Sequence, residues 1–297
     1  MPELPEVETV RAGLAQHLVR ARVTDIEVLD ARSLKKNLGG VDGFLQEIVG
    51  SEIEAVVRRG KFLWLPIGNG RALVGHLGMS GQILVRTPGF TADGQTRVIL
   101  RVESQSGPLE IRFVDQRLFG GLAIDDLKPT QDGGLGGYSP EAPVDASIPE
   151  TVSHIARDLL DPLFDVDAVA KRMTKKNSGI KRVLLDQGLL SGIGNIYADE
   201  ALWLAKLHYD KHASEIPYRK HRALLEIATD VLAKAVAQGG TSFDQQYKNV
   251  NGESGYFSQS LNAYGQTGLP CKRCGTSIKR EAWANRGSHF CPRCQKR

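Results

Sequence analysis

The sequence predicts an α+β protein in two parts: a strand-rich first half opened by one helix, and a helical second half closed by a short basic module. Three observations carry this. From about Val23 to Asp125 short strand-like segments alternate with Gly-rich turns. Past a Gly- and Pro-rich stretch at 128–149 the apolar period becomes helical. All four cysteines fall in the last 27 of 297 residues.

Residues 5–18 are the expected first helix. Val7, Val10, Leu14 and Leu18 recur at helical spacing, Pro5 suits the first turn, and Glu6 and Glu8 suit the positive end. Ile53-Glu54-Ala55-Val56-Val57 and Leu109-Glu110-Ile111-Arg112-Phe113 alternate with period two, as do parts of 97–102, which favours a β-sandwich or barrel. Gln131-Asp132-Gly133-Gly134-Leu135-Gly136-Gly137 reads as a linker. Helices are expected at 151–160, 165–175 (N-capped by Asp165), 180–187, 195–206 and 220–238, the last closed by Gly239. The expected organisation is a β-sandwich domain over 1–130, a linker at 131–150, a helical domain over 151–245 and a final segment at 246–297.

Apolar residues at 41% and charged ones at 24% exclude wholesale disorder and fibrous classes. No apolar run reaches the roughly 18–20 residues of a membrane helix. The acidic start, Met1-Pro2-Glu3-Leu4-Pro5-Glu6, is unlike a signal peptide, so a cytoplasmic protein without a membrane partner is expected. Net charge is only +4, yet residues 271–297 hold eight Lys/Arg against Glu281 alone, leaving −3 on the rest. A basic module on a near-neutral body points to a polyanion.

Cys271-Lys-Arg-Cys274 and Cys291-Pro-Arg-Cys294 lie sixteen residues apart. Two such knuckles match a four-thiolate structural zinc site, with four free thiols, or two disulfides that a reducing compartment disfavours, as the alternatives. One zinc ion is expected, with no open coordination position. It therefore folds a hairpin and does no chemistry.

Pro2-Glu3-Leu4-Pro5-Glu6, Arg59-Gly60-Lys61, His76-Leu77-Gly78-Met79-Ser80-Gly81, Gly192-Ile193-Gly194-Asn195-Ile196-Tyr197-Ala198 and the cysteine knuckles occur in this order along essentially the whole chain. Together they resemble the formamidopyrimidine-DNA glycosylase family of bacterial base-excision repair. The resemblance implies an N-terminal β-sandwich carrying a catalytic helix, a helix-two-turn-helix domain and a C-terminal zinc β-hairpin. It further implies a bifunctional glycosylase and AP lyase that removes oxidised purines such as 8-oxoguanine and formamidopyrimidines from double-stranded DNA, acting as a monomer.

In that family the initiator Met is lost and the secondary amine of the exposed proline attacks the sugar C1′. The base is expelled and an iminium forms, the electron sink for β- and δ-elimination. The resemblance thus makes Pro2 the nucleophile and Glu3 the general acid/base. Glu6 is a buttress, or equally a capping or packing residue. Lys61 and Arg286 are implied to grip phosphates beside the lesion and to serve the eliminations. Gly287 reads as the residue that permits the tight bend beside Arg286. Asn195, His76, Lys176, Lys181 and Arg97 are further DNA contacts, with a core role as the alternative for His76. Met79, Arg117 and Phe119 match the trio that fills the space left by an extruded nucleotide. The family usually shows Asp-Pro-Arg-Arg-Phe-Gly there, whereas this chain has Asp115-Gln116-Arg117-Leu118-Phe119-Gly120, a departure bearing on loop rigidity and opposite-base selectivity. The segment 249–257 resembles a loop that closes over the flipped base. Two rivals are an endonuclease VIII-like enzyme for oxidised pyrimidines, which typically has Gly where Leu4 stands, and a non-catalytic damaged-DNA-binding protein.

Overall fold

The computed structural model describes residues 2–91, 93–241, 250–251 and 257–297. The segment 249–257 therefore lies largely outside the described residues. The chain divides into two compact units, Met1–His154 with Gly239–Gly255, and Ile155–Gln238 with Tyr256–Arg297.

In the first unit helix α1 spans Leu4–Leu18, and its Leu4, Val7, Val10, Leu14 and Leu18 are all buried. Burying each such side chain is worth about 1.5–3 kcal/mol, so α1 is anchored along its length. One antiparallel sheet holds β1 (Arg22–Val28), β6 (Thr96–Ser104), β7 (Gly107–Asp115) and β5 (Gly81–Arg86), in that spatial order. The other holds β2 (Val57–Arg59), β3 (Phe62–Pro66), β4 (Arg71–His76), β8 (Gly121–Pro129) and β9 (Ser147–Pro149). Alternate residues of both sheets, such as Leu63, Leu73, Leu100, Ile111 and Leu122, meet in one core with α1, the sandwich the alternation predicts.

Three local expectations change. Helix α2 (Gly40–Ile48) interrupts the strand-rich region; Val41, Phe44, Leu45 and Ile48 face the core at helical spacing despite two helix-weakening glycines. Residues 53–56 form no regular strand, and β2 starts only at Val57. The stretch 131–150 is folded onto the sandwich. Tyr138 exchanges backbone hydrogen bonds with Arg58 at 2.8 and 3.0 Å, and β9 pairs with β8.

The second unit contains α3 (Val166–Met173), α4 (Ile180–Leu184), α5 (Asn195–Ala205) and α6 (Tyr218–Ala237), then the hairpin β10 (Lys279–Trp283) and β11 (Arg286–Phe290). Asp165 caps α3 through Ala168 N at 2.9 Å, as its position suggests. The helix expected at 151–160 is only a 3₁₀ turn, Glu150–Val152. Asp158 and Asp161 each accept a hydrogen bond from the backbone two residues on, and Pro162 follows; such local side-chain bonds compete with a helix. No described helix is long and apolar enough to cross a membrane.

Candidate active site

The site residues are built in each unit separately. In the first, Glu3 is the N-cap of α1, and Glu3 and Glu6 close a capping box; Glu3 N donates to Glu6 Oε2 at 2.8 Å. Pro2 thus precedes a helix N-terminus whose register is fixed. The other oxygen of Glu6 accepts from Thr241 N at 2.7 Å and Thr241 Oγ1 at 2.9 Å, tying down the chain where it re-enters this unit after α6. Glu6 is therefore both cap and buttress.

The next carboxylate of α1 does a different job. Glu8 is buried and accepts from Arg58 Nε at 2.7 Å and Arg11 Nε at 3.0 Å. Arg11 also donates to Glu141 at 2.9 Å, and both guanidinium groups lie over the Tyr138 ring. This network ties α1 to β2 and so to the turn that follows it. Arg59 pairs with Phe62, which leaves Gly60 and Lys61 as a two-residue hairpin turn; Gly60 takes φ +58, the left-handed geometry such turns demand. Sequence reading missed this network, although charges at i and i+3 inside an apolar helix were a visible signal.

Phe62 places its ring 4.9 Å from that of His76. His76 Nδ1 accepts from Gly78 N at 3.2 Å, which leaves the proton of the neutral ring on Nε2. Burial, then the positive charges of Lys36 and Lys61, holds the imidazole below its ordinary 6.5. The structure thus brings Lys61 and a neutral His76 donor together, a combination suited to a phosphate.

Met79 and Phe119 are exposed to 46% and 57%, which is uncommon for such side chains, and they stand on two touching loops. A Cβ on Gly78 would meet the Phe119 carbonyl carbon at 2.6 Å and Gly120 N at 2.5 Å, so only glycine allows the contact. Arg117 is also exposed. Leu118 adopts φ +54, a left-handed backbone that costs a non-glycine residue about 1–2 kcal/mol. Arg97, expected to contact DNA, has its guanidinium on the chain itself. It donates to Asp115 O at 2.9 Å, Asp30 Oδ2 at 3.2 Å and Gln95 Oε1 at 2.6 Å.

In the second unit Arg286 opens β11 and is exposed. The bend before it is made by Ala284 (φ +44) and Asn285 (φ +60), the two left-handed residues of a type I′ turn. Gly287 lies inside the strand, where a Cβ would meet the Arg280 side chain at 2.5 Å, so the bend does not depend on it. Lys181 is corrected as a direct DNA contact. It is wholly buried, paired to Asp199 at 2.7 Å, and donates to Ser288 Oγ at 2.8 Å and Gly287 O at 3.2 Å. Asn195 Nδ2 also donates to Gly287 O, at 3.0 Å. Both residues therefore hold the backbone that carries Arg286. Lys176 keeps an exposed ammonium, paired on the surface with Asp186 at 3.0 Å, and with Arg182, Trp283 and Arg286 it lines a cavity of about 470 Å³. Arg182 was not singled out from sequence; its position beside Lys181 on a short helix gave no separate signal.

The sulfurs of Cys271, Cys274, Cys291 and Cys294 lie within 4.8 Å of one another, with Cys274 Sγ and Cys291 Sγ 3.5 Å apart. Tetrahedral zinc with bonds of about 2.3 Å needs sulfurs roughly 3.8 Å apart, so the donors fit one ion. The knuckles rest on Trp203 of α5, with Ala263 and Ile278. This is the four-cysteine zinc site of a C-terminal zinc finger.

Comparison with known proteins agrees along the chain. Residues 1–122 match the formamidopyrimidine-DNA glycosylase N-terminal domain, 155–246 its H2TH domain, and 268–297 the zinc finger found in FPG and IleRS. The formamidopyrimidine-DNA glycosylase of Leifsonia xyli is 54% identical over 299 residues, covering 100% of both chains. A Lactococcus lactis FPG variant in complex with Fapy-dG-containing DNA superposes with a TM-score of 0.81 at 30% identity, covering 100% of each chain. MutM in complex with DNA containing carbocyclic 8-oxo-G gives 0.80 at 31%, again over 100% of both. With its three segments matched in order and a relative this close from end to end, the chain belongs to the formamidopyrimidine-DNA glycosylase family.

Proposed function

We propose that the chain is a bifunctional DNA glycosylase and AP lyase that excises oxidised purines from damaged double-stranded DNA. The observation that carries this is the capping box that fixes Pro2 and Glu3 at the N-terminal end of α1, in a chain matching the family throughout. Once Met1 is removed, the Pro2 amine stands at the positive end of the helix, which favours the neutral, nucleophilic form, while the carboxylates of Glu3 and Glu6 oppose it. The Pro2 nitrogen forms a bond to C1′ as the bond to the damaged base breaks, the base leaving with a proton; loss of the amine proton and cleavage of C1′–O4′, with O4′ taking up a proton, then give the ring-opened iminium. Glu3, beside the amine, handles protons at the sugar. The iminium draws electrons from the C2′–H bond and the 3′ phosphate leaves; the conjugated product then loses its C4′ proton and the 5′ phosphate leaves.

Lys61 and His76 take the phosphate backbone from the first unit, and Arg286 and Lys176 from the second. Met79, Arg117 and Phe119 occupy the gap left by the extruded nucleotide. Zinc, when bound by the four cysteines, supplies folding of the hairpin alone. The chain is read as a monomer, and its four thiols suit a reducing cytoplasm.

Borohydride trapping on lesion duplexes tests the reading. Active protein should lack Met1 by intact mass, and it should crosslink to a duplex carrying 8-oxoguanine opposite cytosine. Pro2→Gly should not match that efficiency. Full trapping with Met1 retained would sink the assignment, and a preference for oxidised pyrimidines would favour the endonuclease VIII-like rival.

A further inference from the structure

Asp115 is wholly buried, yet among the described residues no cation pairs with its carboxylate. Three neutral donors surround it. Oδ1 accepts from Ser80 Oγ at 2.6 Å and Arg117 N at 3.1 Å, and Oδ2 accepts from Gly120 N at 2.8 Å. Ser80 belongs to the loop of Met79, whereas Arg117 and Gly120 bracket Phe119. A buried carboxylate without a counter-ion is unfavourable unless its lone pairs are well satisfied, so its presence calls for a role beyond packing.

We propose that Asp115 is the positioning residue of the wedge: its carboxylate joins the Met79 loop and the Arg117–Phe119 loop into one preformed tip. The backbone around it is held from outside as well. Arg97 donates to Asp115 O, Asp115 N donates to Gln95 O at 3.1 Å, and Lys35 Nζ donates to Leu118 O at 3.2 Å. The physical advantage is entropic. A loop that had to order itself while entering a base stack would lose backbone freedom at the moment of unstacking; a tip ordered in advance does not. It also accounts for Arg97, whose guanidinium faces the loop backbone instead of solvent. With Pro absent at 116, this turn relies on the carboxylate and its donors for its stiffness.

The inference rests on the reading of Met79, Arg117 and Phe119 as a wedge, and the test separates the two. Single-turnover excision from a lesion duplex and borohydride trapping on a single-stranded abasic oligonucleotide are measured for Asp115→Asn, Ser80→Ala, Ser80→Thr and Phe119→Ala, and for Asp115→Asn combined with Phe119→Ala. Asp115→Asn keeps the volume but turns one acceptor into a donor facing an N–H or hydroxyl. Duplex excision should fall about tenfold for Asp115→Asn and about threefold for Ser80→Ala, while Ser80→Thr keeps the hydroxyl and the rate. Single-strand trapping should stay within about twofold for the Asp115 and Ser80 variants, and the loss caused by Asp115→Asn should shrink once Phe119 is gone. Duplex rates unchanged in Asp115→Asn and Ser80→Ala, or equal losses on both substrates, overturn the proposal while Phe119→Ala keeps its own substrate split. If Phe119→Ala shows no split, the wedge reading falls and the proposal with it. Should Asp115→Asn fail to fold, the Ser80 pair decides by the same criteria.

Discussion

The wedge loops of the first unit and the zinc hairpin of the second solve one problem by different means. Both must project exposed side chains, Met79 and Phe119 in one case and Arg286 in the other, from backbone that does not give. The wedge stands on a sandwich core built from both sheets and α1, and hydrogen bonds, those to one buried carboxylate among them, hold its loops. Among the described residues the hairpin rests on a small cluster, Trp203, Ala263, Cys271, Ile278 and Cys291, with Phe290 against His208 and Tyr209. So little apolar area cannot order a segment of this size, and a metal with a buried ion pair takes up the deficit. A large core lets weak, directional bonds shape a loop; a small one needs strong fasteners.

Removing the metal should break the comparison most completely. Metal analysis should return one zinc per chain, and Cys291→Ser should abolish it, removing a contribution on the order of 10 kcal/mol to hairpin folding. Duplex affinity should collapse while the first unit keeps its β-sheet circular dichroism. Zinc-free protein with unchanged binding would contradict the dependence.

A smaller effect separates two lysines of the second unit. Lys181→Met removes the buried ammonium and leaves Asp199 with His289 as its remaining partner, which should cost about 3–5 kcal/mol in urea unfolding. Lys176→Ala, at an exposed pair, should leave stability nearly unchanged while the slope of log affinity against log salt falls by about one. The opposite pattern would restore Lys181 as the outward-facing contact.

Ala284→Gly sharpens the hairpin side further. Ala284 is exposed at φ +44, so glycine should relieve about 1 kcal/mol of backbone strain, read as a higher thermal midpoint of zinc-loaded protein.

The pH response of His76 is the smallest effect and belongs to the first unit. Its folded-state pKa lies below the ordinary 6.5, so stability is complete above that value. As pH falls below 6.5 the unfolded chain takes up the proton first, and stability is lost until the folded state also titrates. An NMR titration should place the His76 midpoint below 6.5 and shift it upward in Lys61→Met. A midpoint above 6.5 would argue against its neutral-donor role.

Some of this was legible locally. The first helix, its acidic start and the cysteine knuckles depend on spacings of a few residues, and spacing is what a sequence displays. The exposed Met79 and Phe119 were singled out only by their motif, since such side chains usually lie in cores. The helix expected at 151–160 failed because Asp158 and Asp161 turn their carboxylates onto nearby backbone, a competition that apolar periodicity does not register. Arg97 and Lys181 were expected as DNA contacts, because nothing in the neighbouring sequence marks the partners that hold them within the chain.

By itself, then, the sequence determined the order of the parts, the α+β class, the zinc ligands and the residue types available for chemistry. It could do so because those features follow from local period, spacing and composition. Which charges face outward was decided only by tertiary structure. Lys181 is buried because β11 brings Gly287 and Ser288 onto it, more than a hundred residues away along the chain. Asp115 becomes a clamp because the turn after β4 meets the turn after β7. A charged side chain carries no mark of its future partner, and its burial depends on what the fold places against it.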